Sequence, residues 1–197
     1  DDTRGGGSGL ADVASYDAVA GGEKLTVNLV SSTEATVSSN LSSGGIGTDT
    51  LLNIDRIVGG KDGDLFKGLV HGYTLDGGSG SEVDTVDYSN VTSATSITVN
   101  LQANSANNGL TGGSLIQQAL YNIENVIGGE GNDRLSGDLQ ANSFKGGKGD
   151  DTLVGGGGDD TLEGGDGILN NVDSGYDIAD YSSVSGSTPL LFNLQTA

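Results

Sequence analysis

The sequence predicts an all-β chain wound as a right-handed parallel β-roll, a form of β-solenoid, and three observations predict it. A nine-residue beat runs through the chain and is most regular in GGKGDDTLVGGGGDDTLEGGDG (146–167). A longer cycle lies over it: DVASYDAVAGGEKLTVNL (12–29), DTVDYSNVTSATSITVNL (84–101) and DIADYSSVSGSTPLLFNL (177–194) align without a gap. Within that cycle Leu25/Val27/Leu29, Ile97/Val99/Leu101 and Leu190/Phe192/Leu194 alternate with polar or small residues, the pattern of half-buried strands. Helical periodicity is nearly absent, and only SLIQQALYNIENVI (114–127) offers a short turn.

Composition bounds the function. Of 197 residues 36 are glycine, and the formal net charge is −19. Phosphate binding needs a basic stripe, so nucleic acid is excluded as a partner, and an anionic membrane surface with it. No apolar run approaches the ~20 residues of a membrane-spanning helix, so direct membrane insertion is not expected. There is no cysteine, which removes disulfides and thiolate metal sites. The chain opens on Asp1-Asp2-Thr3-Arg4-Gly5, which reads as the tail of a nonapeptide whose front half is missing, and no signal peptide is expected within it. The expectation is one continuous repeat region, 1–197, excised from a longer protein. Nonapeptide blocks fall at about 44–85 and 128–167, with longer-period rungs at about 12–43, 86–127 and 168–197.

Ruled in nines from Gly128, the chain reads GGEGNDRLS, GDLQANSFK, GGKGDDTLV, GGGGDDTLE and GGDG. An earlier block from Gly59 reads GGKDGDLFK, GLVHGYTLD and GGSGSEVDT, and GGIGTDTLL starts at Gly44. Glycines at positions 1, 2 and 4 allow positive φ, so six residues can curl and aim carbonyl oxygens at one point. The aspartate at position 6 adds a carboxylate there. Positions 7 to 9 form a very short strand whose middle residue turns inward, as Leu135, Phe144, Leu153 and Leu162 would. Two units make one coil of eighteen residues, so loops two units apart stack about 4.8 Å apart.

A cation between stacked loops gathers oxygens from both. An all-oxygen set of six to eight flexible ligands suits calcium, fits magnesium's octahedron poorly, and lacks the nitrogen or sulfur that zinc prefers. The candidate metal residues are Gly44, Ile46 and Asp49; Gly59, Lys61 and Asp64; Gly77, Ser79 and Glu82; and Gly128, Glu130 and Asp133. They continue with Asn142; Gly146, Lys148 and Asp151; Gly155, Gly157 and Asp160; Gly164 and Asp166; and Asp177. The stacking rule pairs Asp133 with Asp151, Asn142 with Asp160, Asp64 with Glu82, and Asp151 with the loop at Gly164 and Asp166. It allows about three to five ions. GDLQANSFK carries Asp138, Gln140 and Asn142 at positions 2, 4 and 6, which weakens its site, and GLVHGYTLD, with Tyr73 at position 6, spaces its neighbours. With a thin core, an ordering cost of about 1–2 kcal/mol per residue keeps the metal-free chain open. Metal binding then becomes folding energy.

The repeat G-G-x-G-x-D-x-U-x is that of RTX (repeats-in-toxin) proteins, and this chain resembles their hemolysin-type calcium-binding region over nearly its whole length. Gly146 to Glu163 fits every defined position of two consecutive units. The resemblance implies secretion by type I machinery of a Gram-negative bacterium, in an unfolded state, with folding on external calcium. The DYS…VNL…NIENVIGG cycle resembles the long-repeat version found in large surface adhesins and exoproteins. The secretion signal of such proteins lies at the extreme C-terminus, whereas LLFNLQTA (190–197) matches the repeat cycle instead.

Sharper functions find less support. His71 sits in a degenerate repeat and reads as an exposed spacer, with no triad around it. GGKGDD (146–151) lacks the order of a phosphate loop, and DGD (62–64) lacks the length and twelfth-position glutamate of an EF-hand. The aligned Tyr16, Tyr88 and Tyr181 read as core packing ahead of sugar stacking. Some relatives cut an Asp-Pro bond after calcium binds, but the single proline, Pro189, follows Thr188. The favoured expectation is a non-catalytic calcium-responsive folding module. The alternatives are a glycan- or surface-binding adhesin segment, and a calcium-dependent polysaccharide-acting enzyme using Arg134 or Lys148.

Overall fold

The computed structural model describes residues 3–6, 11–19, 21–41, 43, 45–68, 72–92, 95–108, 117–165 and 176–182. Among them are eighteen strands and no helix. One nine-stranded sheet holds β1 (Thr3–Gly5), β3 (Leu25–Leu29), β4 (Glu34–Ser39), β5 (Thr48–Leu52), β7 (Leu65–Gly68), β9 (Thr85–Asp87), β13 (Asn125–Ile127), β15 (Ser143–Lys145) and β17 (Thr161–Glu163). The second, also of nine, holds β2 (Val13–Ser15), β6 (Arg56–Val58), β8 (Thr74–Asp76), β10 (Ile97–Asn100), β11 (Ser105–Asn108), β12 (Gln117–Tyr121), β14 (Arg134–Ser136), β16 (Thr152–Val154) and β18 (Ile178–Ala179).

The coil follows from the strand length. A three-residue strand turns only its middle side chain inward. Those residues, Val86, Val126 and Phe144 in one sheet and Leu75, Leu135 and Leu153 in the other, are at most 2% exposed and belong to one core. The chain crosses from sheet to sheet after nearly every strand, so neighbours within a sheet are parallel. The eighteen-residue coil appears in the register: Leu135 lies opposite Leu153, and Phe144 lies opposite Val126 on one side and Leu162 on the other. This is the all-β roll of parallel rungs that the nine-residue beat predicts.

The longer cycle departs from a purely parallel expectation. In each described copy the chain stays in one sheet for an antiparallel meander, β3–β4–β5 in the first and β10–β11–β12 in the second. Four strands separate the two meanders, so they fall on opposite sheets. Each meander widens its own sheet by two strands, about 10 Å. One meander per sheet leaves both with nine strands. The segment 114–127 is no helical turn where it is described, but the third meander strand β12 followed by β13.

The aligned tyrosines explain how the meander is held. Tyr16 and Tyr88 are buried, 2% and 0% exposed. Tyr16 donates its hydroxyl to Asp49 Oδ2 at 2.9 Å, and Tyr88 donates to Gln118 Oε1 at 2.5 Å. Asp49 and Gln118 occupy the same place in β5 and β12, two residues before the buried Leu51 and Leu120. Each strand is then followed by a left-handed asparagine, Asn53 (φ 53°) or Asn122 (φ 51°). Core packing accounts for these two tyrosines, while Tyr181 is 38% exposed. Residues 183–197, including LLFNL, and His71 lie outside the described residues.

Removing the hydroxyl separates the two latches. Tyr88→Phe leaves a neutral amide behind and is expected to cost about 1 kcal/mol, whereas Tyr16→Phe removes a donor from a buried carboxylate and is expected to cost about 1.5–3 kcal/mol. Chemical denaturation of both variants in excess calcium measures the difference, and equal losses contradict the assignment.

Candidate metal centres along the turn edges

Most turns place an acid or its amide two positions before the inward apolar residue, with Tyr73 there before β8, and period-two alternation points both to the same side of the strand. These residues form two ladders. Before the strands of the first sheet stand Asp64, Asp84, Glu124, Asn142 and Asp160; before those of the second stand Asp12, Asp55, Asp133, Asp151 and Asp177.

The bonding within a ladder recurs from rung to rung. Asp133 accepts the Ile97 N–H (2.7 Å) and the Gly129 N–H (2.6 Å), and its own N–H donates to Asp151 Oδ1 (2.7 Å). Asp64 accepts the Leu25 N–H (2.7 Å) and the Gly60 N–H (2.5 Å), and its N–H donates to Asp84 Oδ1 (2.6 Å). The Asp84 N–H donates to Glu124 Oε2 (2.9 Å), the Asn142 N–H to Asp160 Oδ1 (2.9 Å), the Asp151 N–H to Asp177 Oδ1 (3.0 Å) and the Asp12 N–H to Asp55 Oδ2 (2.8 Å). Each carboxylate thus caps a tight turn of its own rung or binds the main chain of the neighbouring one.

Carbonyl oxygens converge on the same places. A Cβ added to Gly59 would run into Asp64 Oδ2 and the Gly77 carbonyl. At Gly128 it would meet Asp133 Oδ2 and the Gly146 carbonyl, and at Gly146 it would meet Asp151 Oδ2 and the Gly164 carbonyl. Glycine at position 1 is therefore required by the close approach of two oxygens from different rungs. Among the described residues no three Asp, Glu, His or Cys side chains converge on one point. The donor set is instead carbonyl-rich, with one carboxylate contributed per rung, and hard oxygens in that mixture fit calcium.

Electrostatics favour a cation at these edges. Burial raises Asp64 and Glu124 above the ordinary carboxylate range, pushes Asp133 to about 6, and pushes Asp84, which also faces Asp64, Glu124 and Asp76, to about 7. A desolvated carboxylate disfavours its own charge unless a positive group stands near. Basic side chains work elsewhere on the surface. Lys67–Asp87 (3.1 Å) and Lys145–Glu163 (3.4 Å) join outward-facing register partners, and Arg56–Asp76 (2.5 Å), Lys148–Glu130 (2.6 Å) and Arg134–Asp180 (4.0 Å) join other rungs.

Several predicted residues meet where the stacking rule pairs them: Asp133 with Asp151, Asn142 with Asp160, and Asp151 with Gly164; the Asp151 N–H bonds Asp177, a contact the rule did not pair. Gly155 lies against Asp160, and Gly157 against Leu139 in the loop stacked beside it. The carbonyl of Lys61 faces Gly80 across the rungs, while the Ser79 hydroxyl donates to Asp17. The side chains of Lys148 and Glu130 bind each other. Gly44 and Asp166 lie outside the described residues.

Two expectations are corrected. Glu82 is exposed and Asp84 takes its ladder place, because the coil from Phe66 to Val86 is twenty residues long and the extra two fall in the loop. GGIGTDTLL is not a rung: Asp49 lies within β5, bound to the Tyr16 hydroxyl, and the Ile46 N–H donates to Glu23 Oε1 (2.7 Å). The nonapeptide count passed over Asp12, Asp55, Asp84 and Glu124. Their signal lay in the longer cycle, where acids head DVASY and DTVDY and recur in NIDRIV and NIENVI.

The raised values set a pH dependence. The folded, metal-free chain binds more protons than the unfolded chain between the ordinary carboxylate value near 4 and about 7. This stability is present at low pH and lost as pH rises through that interval. Without calcium, the β signal in circular dichroism is therefore expected to grow as pH falls from 7 to 4; a flat or falling signal contradicts it.

The model of the family described as peptidase M10 serralysin C terminal matches residues 61–195. That family is the repeat region of serralysin-type proteases and not their catalytic domain. A search of curated proteins returned no match. The matched span covers the second nonapeptide block, the first from residue 61 onward, the second meander and most of both ladders. With that match over more than half of its length, the chain belongs to the serralysin C-terminal family of RTX repeat domains.

Proposed function

We propose that residues 1–197 act as one continuous non-catalytic β-roll that folds on binding several calcium ions outside the cell. In this role it supports the secretion and folding of a larger RTX exoprotein, a toxin or an adhesin. The observation that carries the reading is the coincidence, rung after rung, of a carboxylate oxygen with a carbonyl from the next rung at a position 1 glycine.

Calcium bound there supplies positive charge between rungs. The chain's own residues do the rest. Asp64, Asp133, Asp151 and Asp160 present carboxylates, glycine-rich turns present carbonyls, and the N–H groups of Leu25, Ile97, Asp133 and Asn142 fix the direction of each carboxylate in turn. Extracellular modules of this type work at roughly 10⁻⁴–10⁻³ M calcium. A cytosol holding far less leaves the chain extended for export by type I machinery, and the external medium drives folding. The net charge of −19 supports the same division, because self-repulsion opposes the compact state until cations arrive.

Circular dichroism in a chelator at neutral pH is expected to show a largely unfolded chain that becomes β-rich as calcium is added, with little response to equal magnesium. A β signal that persists in the chelator contradicts the proposal. Asp151→Ala is expected to raise the calcium midpoint more than any other single ladder substitution, because Asp151 lies between Asp133 and Asp177. A calcium titration that ranks Asp160→Ala above it contradicts that placement.

A further inference from the structure

Asn142 occupies a ladder place where neighbouring rungs have a carboxylate. It is 3% exposed and keeps the ladder's bonding: Oδ1 accepts the Asp138 N–H at 3.0 Å, and its own N–H donates to Asp160 Oδ1 at 2.9 Å. The cradle is kept as well. A Cβ on Gly137 would meet the Gly155 carbonyl and Asn142 Oδ1, as one on Gly128 would meet the Gly146 carbonyl and Asp133 Oδ2.

What differs is the second terminal atom. Asn142 Nδ2 donates to the Glu124 carbonyl at 3.2 Å, so an N–H stands where a carboxylate would present a second oxygen. The amide is neutral, and its hydrogens are directed at the Glu124 carbonyl, which also accepts the Ser143 N–H. Next to this rung lies a polar cavity of about 100 Å³ bordered by Asn122, Glu124, Asp138 and Gln140. It is polar and large enough to hold water beside this rung.

We propose that Asn142 keeps the stretch from Glu124 to Asp160 free of bound divalent cation, leaving a latent calcium site that Asn142→Asp would open. The inference rests on the calcium reading of the nonapeptide edges and adds which rung is silent and why. One edge is thereby divided into an upper block, Asp64–Asp84–Glu124, and a lower one at Asp160. The opposite edge runs through Asp133, Asp151 and Asp177 with a carboxylate at each rung.

The test is an ion count by native mass spectrometry on the full 197-residue chain at saturating calcium, for the wild type, Asn142→Asp and Asn142→Ala. Asn142→Asp is expected to hold one ion more than the wild type, with a lower calcium midpoint, and Asn142→Ala the same number as the wild type. An unchanged count in Asn142→Asp overturns the proposal. So does the loss of one ion in Asn142→Ala, which would make the amide oxygen a ligand already, and this arm decides the matter even when Asn142→Asp does not fold. A wild type that binds no calcium instead overturns the reading underneath.

Discussion

The structure depends on what happens to the carboxylates standing in rows along its two turn edges, several of them buried. A rung of this roll contributes one inward side chain per strand, so the core is one residue wide along most of its length. Such a core supplies little hydrophobic stabilisation relative to the ordering cost of glycine-rich turns. The edges therefore decide whether the coil closes. Asp64, Asp84 and Asp133 are buried and desolvated, and ladder acids stand beside carbonyls of the neighbouring rung. On the proposed function, such an arrangement responds to the concentration of cations.

The longer cycle gives the roll a second kind of organisation. Each described copy folds one sheet back on itself as a three-stranded meander, and a buried tyrosine hydroxyl fastens the third strand. The four strands between the two meanders put them on opposite sheets, which lets both sheets advance by equal numbers of strands. The two copies differ at the fastening point: Asp49 is an acid where Gln118 is an amide. The same geometry is thus reached with two different acceptors.

The sequence made the nonapeptide rungs legible because there the glycine count and the strand register coincide. From Gly128 to Glu163 every unit is nine residues long, and Leu135, Phe144, Leu153 and Leu162 fall into the predicted stack. Where a loop gains two residues the counts part: the pattern lands on Glu82, while alternation from the inward Val86 lands on Asp84. GGIGTDTLL failed for another reason. Its glycines lead into a five-residue strand paired with the hairpin before it, so Asp49 turns into the core and not toward an edge. Antiparallel pairing is a choice among distant partners, and the alternation of Leu25, Val27 and Leu29 is the same for either direction.

Small-angle scattering at neutral pH, with and without calcium, tests the central claim most directly. For a chain of 197 residues the expected radius of gyration is roughly 48 Å when unfolded and roughly 16 Å when compact. The account expects the metal-free chain near the first value and the calcium-loaded chain near the second, with magnesium leaving it expanded. A chain already compact in chelator would show that the edges hold together without cations, and would contradict the account.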